Sequence, residues 1–113
     1  MESSISKSIQ LSHRQVALAY IIIRVNETRM PNVSRTHETL LNKIERARYV
    51  SGRHVVLQFD DYERVIMRQY NTNYCANMAD HLLQRDPPAA DLEGLLETYL
   101  VATTLQTLFS SIQ

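Results

Sequence analysis

Residues 91–113 of the chain read DLEGLLETYLVATTLQTLFSSIQ, and this stretch constrains the fold more than any other. No charged residue follows Glu97, yet apolar residues recur at the i, i+4, i+7 and i+11 positions of one helix face. That spacing is carried by Val101, Leu105, Leu108 and Ile112, and the stripe is broadened by Leu92, Leu96, Tyr99, Leu100 and Phe109. The pattern predicts a long C-terminal helix.

The opposite face of this helix carries threonine, glutamine and serine in place of charged side chains. Such a face can contact another protein without removing water from an ion, so two interpretations stay open. The helix is either the central core helix of a small bundle or the interface with a second copy or a partner. On the second interpretation the contact residues are Leu92, Leu96, Val101, Leu105, Leu108, Phe109 and Ile112. A membrane span is not expected, because a bilayer requires about 20 mainly apolar residues and this run is short and threonine-rich.

Local capping patterns predict three earlier helices. Residues 12–15 have the capping-box pattern and open a first helix, apolar nearly all round, which Pro31 ends. A second helix spans residues 32–51 and has an apolar stripe on one face only. Residues 60–63 form another capping box and open a third helix, which the Asp-Pro-Pro of residues 86–88 separates from the last. We expect the first and last helices to form the centre of the domain.

Residues 54–59 are the one place where a short strand is plausible, because Val55, Leu57 and Phe59 alternate with their neighbours. A lone strand has nothing to pair with unless a second copy supplies its partner. The prediction is therefore an all-α domain of four helices that forms a homodimer, with a possible short strand at residues 54–59. Residues 11–113 make the single helical domain, and residues 1–10 are expected to be a flexible N-terminus.

The charges of the chain cancel but are unevenly distributed. Twelve basic and twelve acidic residues leave no global field that points to nucleic acid or a membrane. Residues 1–56 carry nine basic and four acidic residues, a net charge of +5, and residues 57–113 carry three and eight, a net charge of −5. The single cysteine, Cys75, excludes an internal disulfide and is typical of a reducing compartment. We expect a cytoplasmic protein.

No pattern in the sequence indicates catalysis, a metal or a cofactor. None of the four histidines forms a His-x-x-x-His pair, and no Cys-x-x-Cys pair or glycine-rich phosphate loop is present. Cys75 with Asp80 and His81 is a loose match to a nucleophile and base, but a small core residue explains the cysteine equally well. We expect a protein that is not an enzyme and needs no cofactor.

Two clusters allow both a functional and a structural interpretation. Tyr70, Tyr74 and Met78 lie near one stripe of the third helix, and tyrosine and methionine are common both at protein interfaces and in cores. The second cluster, Arg46, Arg48 and Arg53, surrounds the turn at Gly52. It is either a set of rim or phosphate contacts or a solvated helix end whose cations complement the helix dipole.

A DNA-binding interpretation rests on the order of the first elements. A helix, a Ser/Thr-rich helix start and an extended segment resemble parts of a winged helix. The spacing is a difficulty, because residues 25–34 leave no room for the middle helix, and the second strand of the wing is absent. We therefore expect the binding partner to be a protein rather than nucleic acid.

The C-terminal VATTLQTLFSSIQ resembles the closing helix of small quorum-sensing anti-activators of the TraM and QslA kind, which carry a similar Leu-(Asn/Gln)-Thr-Leu core, here residues 105–108. Residues 86–93, DPPAADLE, look like a helix start in that family, where it opens an earlier helix. The resemblance implies a small helical dimer that binds a LuxR-type transcription factor and inhibits it.

The leading hypothesis is thus a non-enzymatic regulatory protein that binds and inhibits another protein, with an anti-activator of a LuxR-type transcription factor as the form that the resemblance implies. The alternatives are a DNA-binding regulator of winged-helix-like type and a phage-type inhibitor of a host protein.

Overall fold

The structure is a computed structural model and describes residues 7–85 and 89–110. Within these residues the chain forms four helices and one two-stranded sheet. In chain order the elements are β1 (Lys7–Ser12), α1 (His13–Glu27), α2 (Arg35–Ala47), β2 (His54–Phe59), α3 (Asp61–Arg85) and α4 (Ala89–Ser110). The fold is mostly helical, as the sequence predicts, but the sheet makes it more than an all-α domain.

Strands β1 and β2 pair antiparallel, from Lys7 opposite Phe59 to Ser12 opposite His54. This pairing corrects two expectations. The predicted strand at residues 54–59 is present, but its partner comes from the same chain and not from a second copy. Residues 7–10, expected to be flexible, belong to β1, and Ile9 and Leu11 are buried in the core.

The helices begin where the capping patterns place them. The Ser12 hydroxyl accepts the backbone N–H of Gln15 at 3.1 Å, and the Ser12 backbone N–H donates to the Gln15 side chain at 2.8 Å. The same reciprocal pair joins Asp60 and Glu63 at the start of α3, at 2.8 and 2.9 Å. Each pair satisfies two backbone N–H groups that a helix start leaves without partners.

Helix α2 is shorter than the predicted range of residues 32–51. Ser34 is its N-cap and accepts the backbone N–H of His37 at 3.0 Å, and the helix ends at Ala47. The turn that follows contains Gly52 at φ 109°, a left-handed conformation that favours glycine. This turn allows the chain to reverse and enter β2.

The core receives buried residues from all six elements, and α1, which the sequence predicts at the centre, packs against the other three helices. Ala19, Ile22 and Ile23 of α1 are fully buried, and so is Phe109 of α4. Phe109 also packs edge-to-face against Phe59 of β2, with the ring centroids 5.1 Å apart. The sheet therefore extends the core that the helices form.

A buried polar network joins α1, α2 and α3. The His37 side chain is 1% exposed; its Nε2–H donates to the Glu27 carboxylate at 3.0 Å, and its Nδ1 is hydrogen-bonded to the Tyr70 hydroxyl at 2.7 Å. Burial raises the pKa of Tyr70, and the nearby Glu27 carboxylate adds to that effect. The network fixes the relative positions of the three helices at one level of the core.

Candidate protein-binding surface

The structure places most of the predicted interface residues against their own chain. Tyr70, Met78, Leu105 and Phe109 are buried, each at 9% exposure or less. Half-buried positions are taken by Tyr74, Leu92, Val101 and Leu108. A fully buried side chain has no surface to offer, so Leu105 and Phe109 are core residues and not contacts of this fold with a partner. Leu96 is 46% exposed, and Ile112 lies outside the described residues.

The outer face of α4 is apolar, and it is uncharged after Glu97. Leu100 is 64% exposed and lies one turn beyond Leu96, on the side of the helix opposite the buried Leu105. No residue from Thr98 to Ser110 carries a charge. From Thr98 onward this face therefore lacks the ionic side chains that an ordinary solvent-facing helix carries, whereas Glu93 and Glu97 lie on its earlier part.

The threonine hydroxyls of α4 form hydrogen bonds within their own helix. The hydroxyls of Thr98, Thr103, Thr104 and Thr107 each donate to a backbone carbonyl three or four residues earlier, at 2.9 to 3.0 Å. A hydroxyl that is bonded to its own helix already has an acceptor, and it competes less for water. The uncharged face can therefore be covered by a partner with little loss of hydrogen bonds to solvent.

Helix α1 adds a second apolar strip. Ile21 is 48% exposed and Val25, one turn later on the same face, is 38% exposed. Ala17, one turn before Ile21, is exposed as well. These residues belong to the helix that the sequence identifies as apolar nearly all round, and the core covers only one side of it.

A shallow groove connects the two helices. It encloses about 190 Å³ between Leu18 and Ile21 of α1 and Thr98 and Val101 of α4. An ion pair between Arg14 and Glu97, at 2.6 Å, closes one end of it. We use the name α1–α4 face for the groove residues Ala17, Ile21 and Val101 together with the exposed apolar residues of the same two helices that lie outside the groove lining, which are Val25, Leu96 and Leu100.

Charged pairs flank this face at both ends of α1. Arg14 pairs with Glu97 near the start of α1, and Arg24 pairs with Glu27 at 3.0 Å near its end. The arrangement of an apolar centre and a polar rim is the usual anatomy of a protein interface. The Arg14–Glu97 pair is exposed and contributes little to the stability of the fold, whereas Glu27 is half-buried and also bonds to His37.

The three arginines predicted as rim or phosphate contacts have different surroundings. The Arg48 guanidinium lies 4.2 Å from the centre of the Tyr20 ring and pairs with Glu45 at 3.2 Å, so it is directed onto its own chain. Arg46 borders a groove between α2 and β2, and Arg53 is exposed in the turn before β2. None of the three belongs to the α1–α4 face.

Among the described residues, the ionisable side chains form neither an activated nucleophile nor a metal site. Cys75 is buried, which raises the pKa of its thiol and keeps it in the unreactive protonated form, while Asp80 and His81 are exposed. Within residues 7–85 and 89–110, no three His, Cys, Asp or Glu side chains lie close enough to hold a metal ion together.

None of the helices in the described part of the chain is both long enough and apolar enough to cross a membrane.

Sequence reasoning missed the contribution of α1 to this surface. One pattern could have identified it, because the first helix has more apolar positions than one buried face can hold. Leu100 lies five residues before Leu105, about 140° away around the helix, so the spacing places the two leucines on different sides but does not state which side is core. The packing of α4 against α1 and α3 decides which of them is buried.

Comparison of the chain with protein-family models, with curated proteins and with solved structures finds no match.

Proposed function

We propose that this protein is a non-enzymatic regulator that binds another protein through the α1–α4 face and inhibits it. The observation that carries the proposal is the outer face of α4, which is uncharged after Glu97 and on which Leu100 is 64% exposed, together with the exposed Ile21 of the neighbouring helix α1. The resemblance of the C-terminal helix to quorum-sensing anti-activators supports a LuxR-type transcription factor as the first class of partner to test.

The physical argument starts from the free energy of hydration. Apolar side chains that leave water contribute about 25 cal/mol per Å² of buried area, and the part of α4 after Glu97 carries no charge that has to lose its hydration. The two exposed leucines and Ile21 are large enough to serve as central anchors. The ion pairs at the ends of α1 remain at the rim, where they can set the orientation of a partner.

A protein is a better match to this face than an anionic membrane surface. Asp91, Glu93 and Glu97 all lie in the first half of α4, next to the exposed Leu96 and Leu100. These carboxylates repel the anionic headgroups that attract basic amphipathic helices to membranes.

The topology adds no support to the winged-helix alternative. The segment between α1 and α2, residues 28–34, contains no helix, and β2 pairs with β1 and not with a following strand. A phage-type inhibitor of a host protein remains within the proposed class, since it also acts by binding a protein.

The test compares two leucine variants with the same side-chain change. Leu100→Glu places a charge in the α1–α4 face, whereas Leu83→Glu changes a residue of α3 that is 84% exposed and lies outside it. Each protein is immobilised and offered a purified LuxR-type regulator bound to its signal, and the DNA binding of that regulator is followed by gel shift. We expect the wild type and Leu83→Glu to bind it and release it from DNA, and Leu100→Glu to lose both effects.

Self-association is measured in parallel, because a homodimer is also proposed. Light scattering gives the mass of the wild type and of Leu100→Glu, and circular dichroism checks that both are folded. A dimer that becomes a monomer in Leu100→Glu would assign this face to a second copy. Equal binding of the regulator by wild type and Leu100→Glu would overturn the assignment of the α1–α4 face. No binding of the regulator by the wild type would remove the LuxR-type partner.

A further inference from the structure

A second concave surface lies between α2 and β2, away from the α1–α4 face. Its volume is about 440 Å³, and its floor is formed by Ala47 and Val50, which end and follow α2, and by Leu57 of β2. Val50 is 46% exposed and Leu57 is half-buried, so this floor is open to a ligand. Lys43 and Arg46 stand at its edge.

Only part of the positive charge at this edge is neutralised within the chain. The Lys43 ammonium donates to the backbone carbonyl of Gln58 at 2.6 Å and to the buried carboxylate of Glu63 at 2.8 Å. Arg46 is exposed, and no hydrogen-bond or ion-pair partner for its guanidinium is found in residues 7–85 and 89–110. Lys43 therefore supports the structure, whereas Arg46 is available to a ligand.

A second available cation lies on the same side of α2. Arg35, Thr39, Asn42 and Arg46 follow the i, i+4, i+7, i+11 spacing of one helix face. Arg35 is exposed and, like Arg46, has no partner among the described side chains. At 1.5 Å per residue the two arginines are separated by roughly 16 Å along α2, which is about three turns of a helix.

We propose that the α2–β2 groove binds an acidic amphipathic helix of a protein partner. The apolar side chains of such a helix lie on the floor formed by Ala47, Val50 and Leu57. Its carboxylates, spaced about three turns apart, reach Arg35 and Arg46. Forked contacts between guanidinium and carboxylate fix the direction of the helix along α2. The groove belongs mainly to α2, whose sequence contains three arginine or lysine residues and two acidic residues, so the helix favours an acidic segment.

Nucleic acid matches the groove less well. Binding of a phosphate backbone depends on several cations that each neutralise a phosphate, and here Lys43 and Arg48 are already engaged within the chain. The apolar floor, which lies at the Arg46 end of α2, contributes nothing to a phosphate, but it can anchor leucine or phenylalanine side chains. Duplex DNA is therefore kept as a competing ligand in the test.

The experiment measures fluorescence anisotropy of labelled peptides against the full chain. The probe is an amphipathic peptide of about 16 residues with leucines on one face and glutamates flanking them. One control peptide has the same composition in scrambled order, and a second has lysine in place of glutamate. A labelled DNA duplex is titrated under the same conditions.

Matched variants separate the groove from the net charge. Arg46→Glu changes the edge of the groove, and Arg29→Glu makes the same charge change at an exposed site outside it. We expect Arg46→Glu to lower the affinity for the acidic peptide by roughly tenfold. Raising the salt concentration from about 50 to about 300 mM should lower this affinity further. Arg29→Glu should leave the affinity within roughly twofold, as should Leu100→Glu, because this groove and the α1–α4 face are separate.

Several results would overturn the proposal. One is the absence of binding by the acidic peptide at low salt, and another is equal binding of the scrambled peptide. An equal loss in Arg46→Glu and Arg29→Glu would show a nonspecific charge effect. Tighter binding of the DNA duplex, lost in Arg46→Glu, would reassign the groove to nucleic acid.

Discussion

The two leucines at positions 100 and 105 of α4 allow a direct test of which side of the helix is core. Leu105 is fully buried, whereas Leu100 is 64% exposed, although both are in the same uncharged segment. Replacing either leucine by alanine removes the same atoms and leaves the helix propensity nearly unchanged. Any difference in stability between the two variants therefore comes from packing.

The expected losses of unfolding free energy in Leu105→Ala and Leu100→Ala differ severalfold. Truncation of a fully buried leucine costs about 3 kcal/mol, because apolar surface is lost and a cavity remains. Truncation of a largely exposed leucine costs less than about 0.5 kcal/mol. A domain of this size has a free energy of unfolding of about 5–15 kcal/mol, so Leu105→Ala should remove a substantial fraction of its stability. With a urea m-value of about 2 kcal/mol per molar, its midpoint should fall by roughly 1.5 M.

The assay is urea denaturation followed by far-ultraviolet circular dichroism and by tyrosine fluorescence, since the chain has no tryptophan. Coincident transitions of the two probes would justify a two-state analysis. A cost below about 1 kcal/mol for Leu105→Ala, or equal costs for the two variants, would refute the assignment of Leu105 to the core. Retained stability with reduced self-association would instead place Leu105 at an interface between copies.

Three further predictions concern the buried polar groups of α3. Asn71 is fully buried and neither atom of its amide has a hydrogen-bond partner among the described residues, so Asn71→Leu should raise the free energy of unfolding by about 1–2 kcal/mol. A loss of stability in the urea assay would show that the amide is satisfied. Tyr70→Phe leaves Nδ1 of the buried His37 without its hydrogen-bond partner and should cost about 1–2 kcal/mol by the same assay; a neutral result would contradict the network. Burial raises the pKa values of Tyr70, Tyr74 and Cys75, so the stability that their neutral forms contribute is present below the ordinary pKa values and is lost as the pH rises above about 9. Thermal melts between neutral and alkaline pH should show the decline, and a flat profile would contradict it.

Much of the helical structure was predictable because the chemistry that starts a helix is local. The reciprocal bonds of Ser12 with Gln15 and of Asp60 with Glu63 involve residues three positions apart, so the sequence alone indicates them. The starts of α1 and α3 agree with these predictions. The end of α2 was less predictable, because Gly52 lies several residues beyond Ala47 and marks the turn and not the helix end.

The strand β1 was not predicted, and the reason is physical. Its alternation is carried by two buried residues, Ile9 and Leu11, which is too short a pattern to distinguish from a polar tail. Its stability comes from β2, which pairs with it from more than forty residues away along the chain. Pairing between distant segments is a property of the folded chain, and no local pattern contains it.

The candidate surface was likewise predictable only in part from the sequence. By itself the sequence determined that α4 is a helix without charges after Glu97, and that apolar residues share one of its faces. Periodicity states which side chains lie together on a helix, but it does not state what covers them. Only the tertiary structure decided that Leu105 and Phe109 face the core of their own chain while Leu100 faces outward. The reason is that burial depends on which helix packs beside which, and that choice is made by contacts between residues far apart in the sequence.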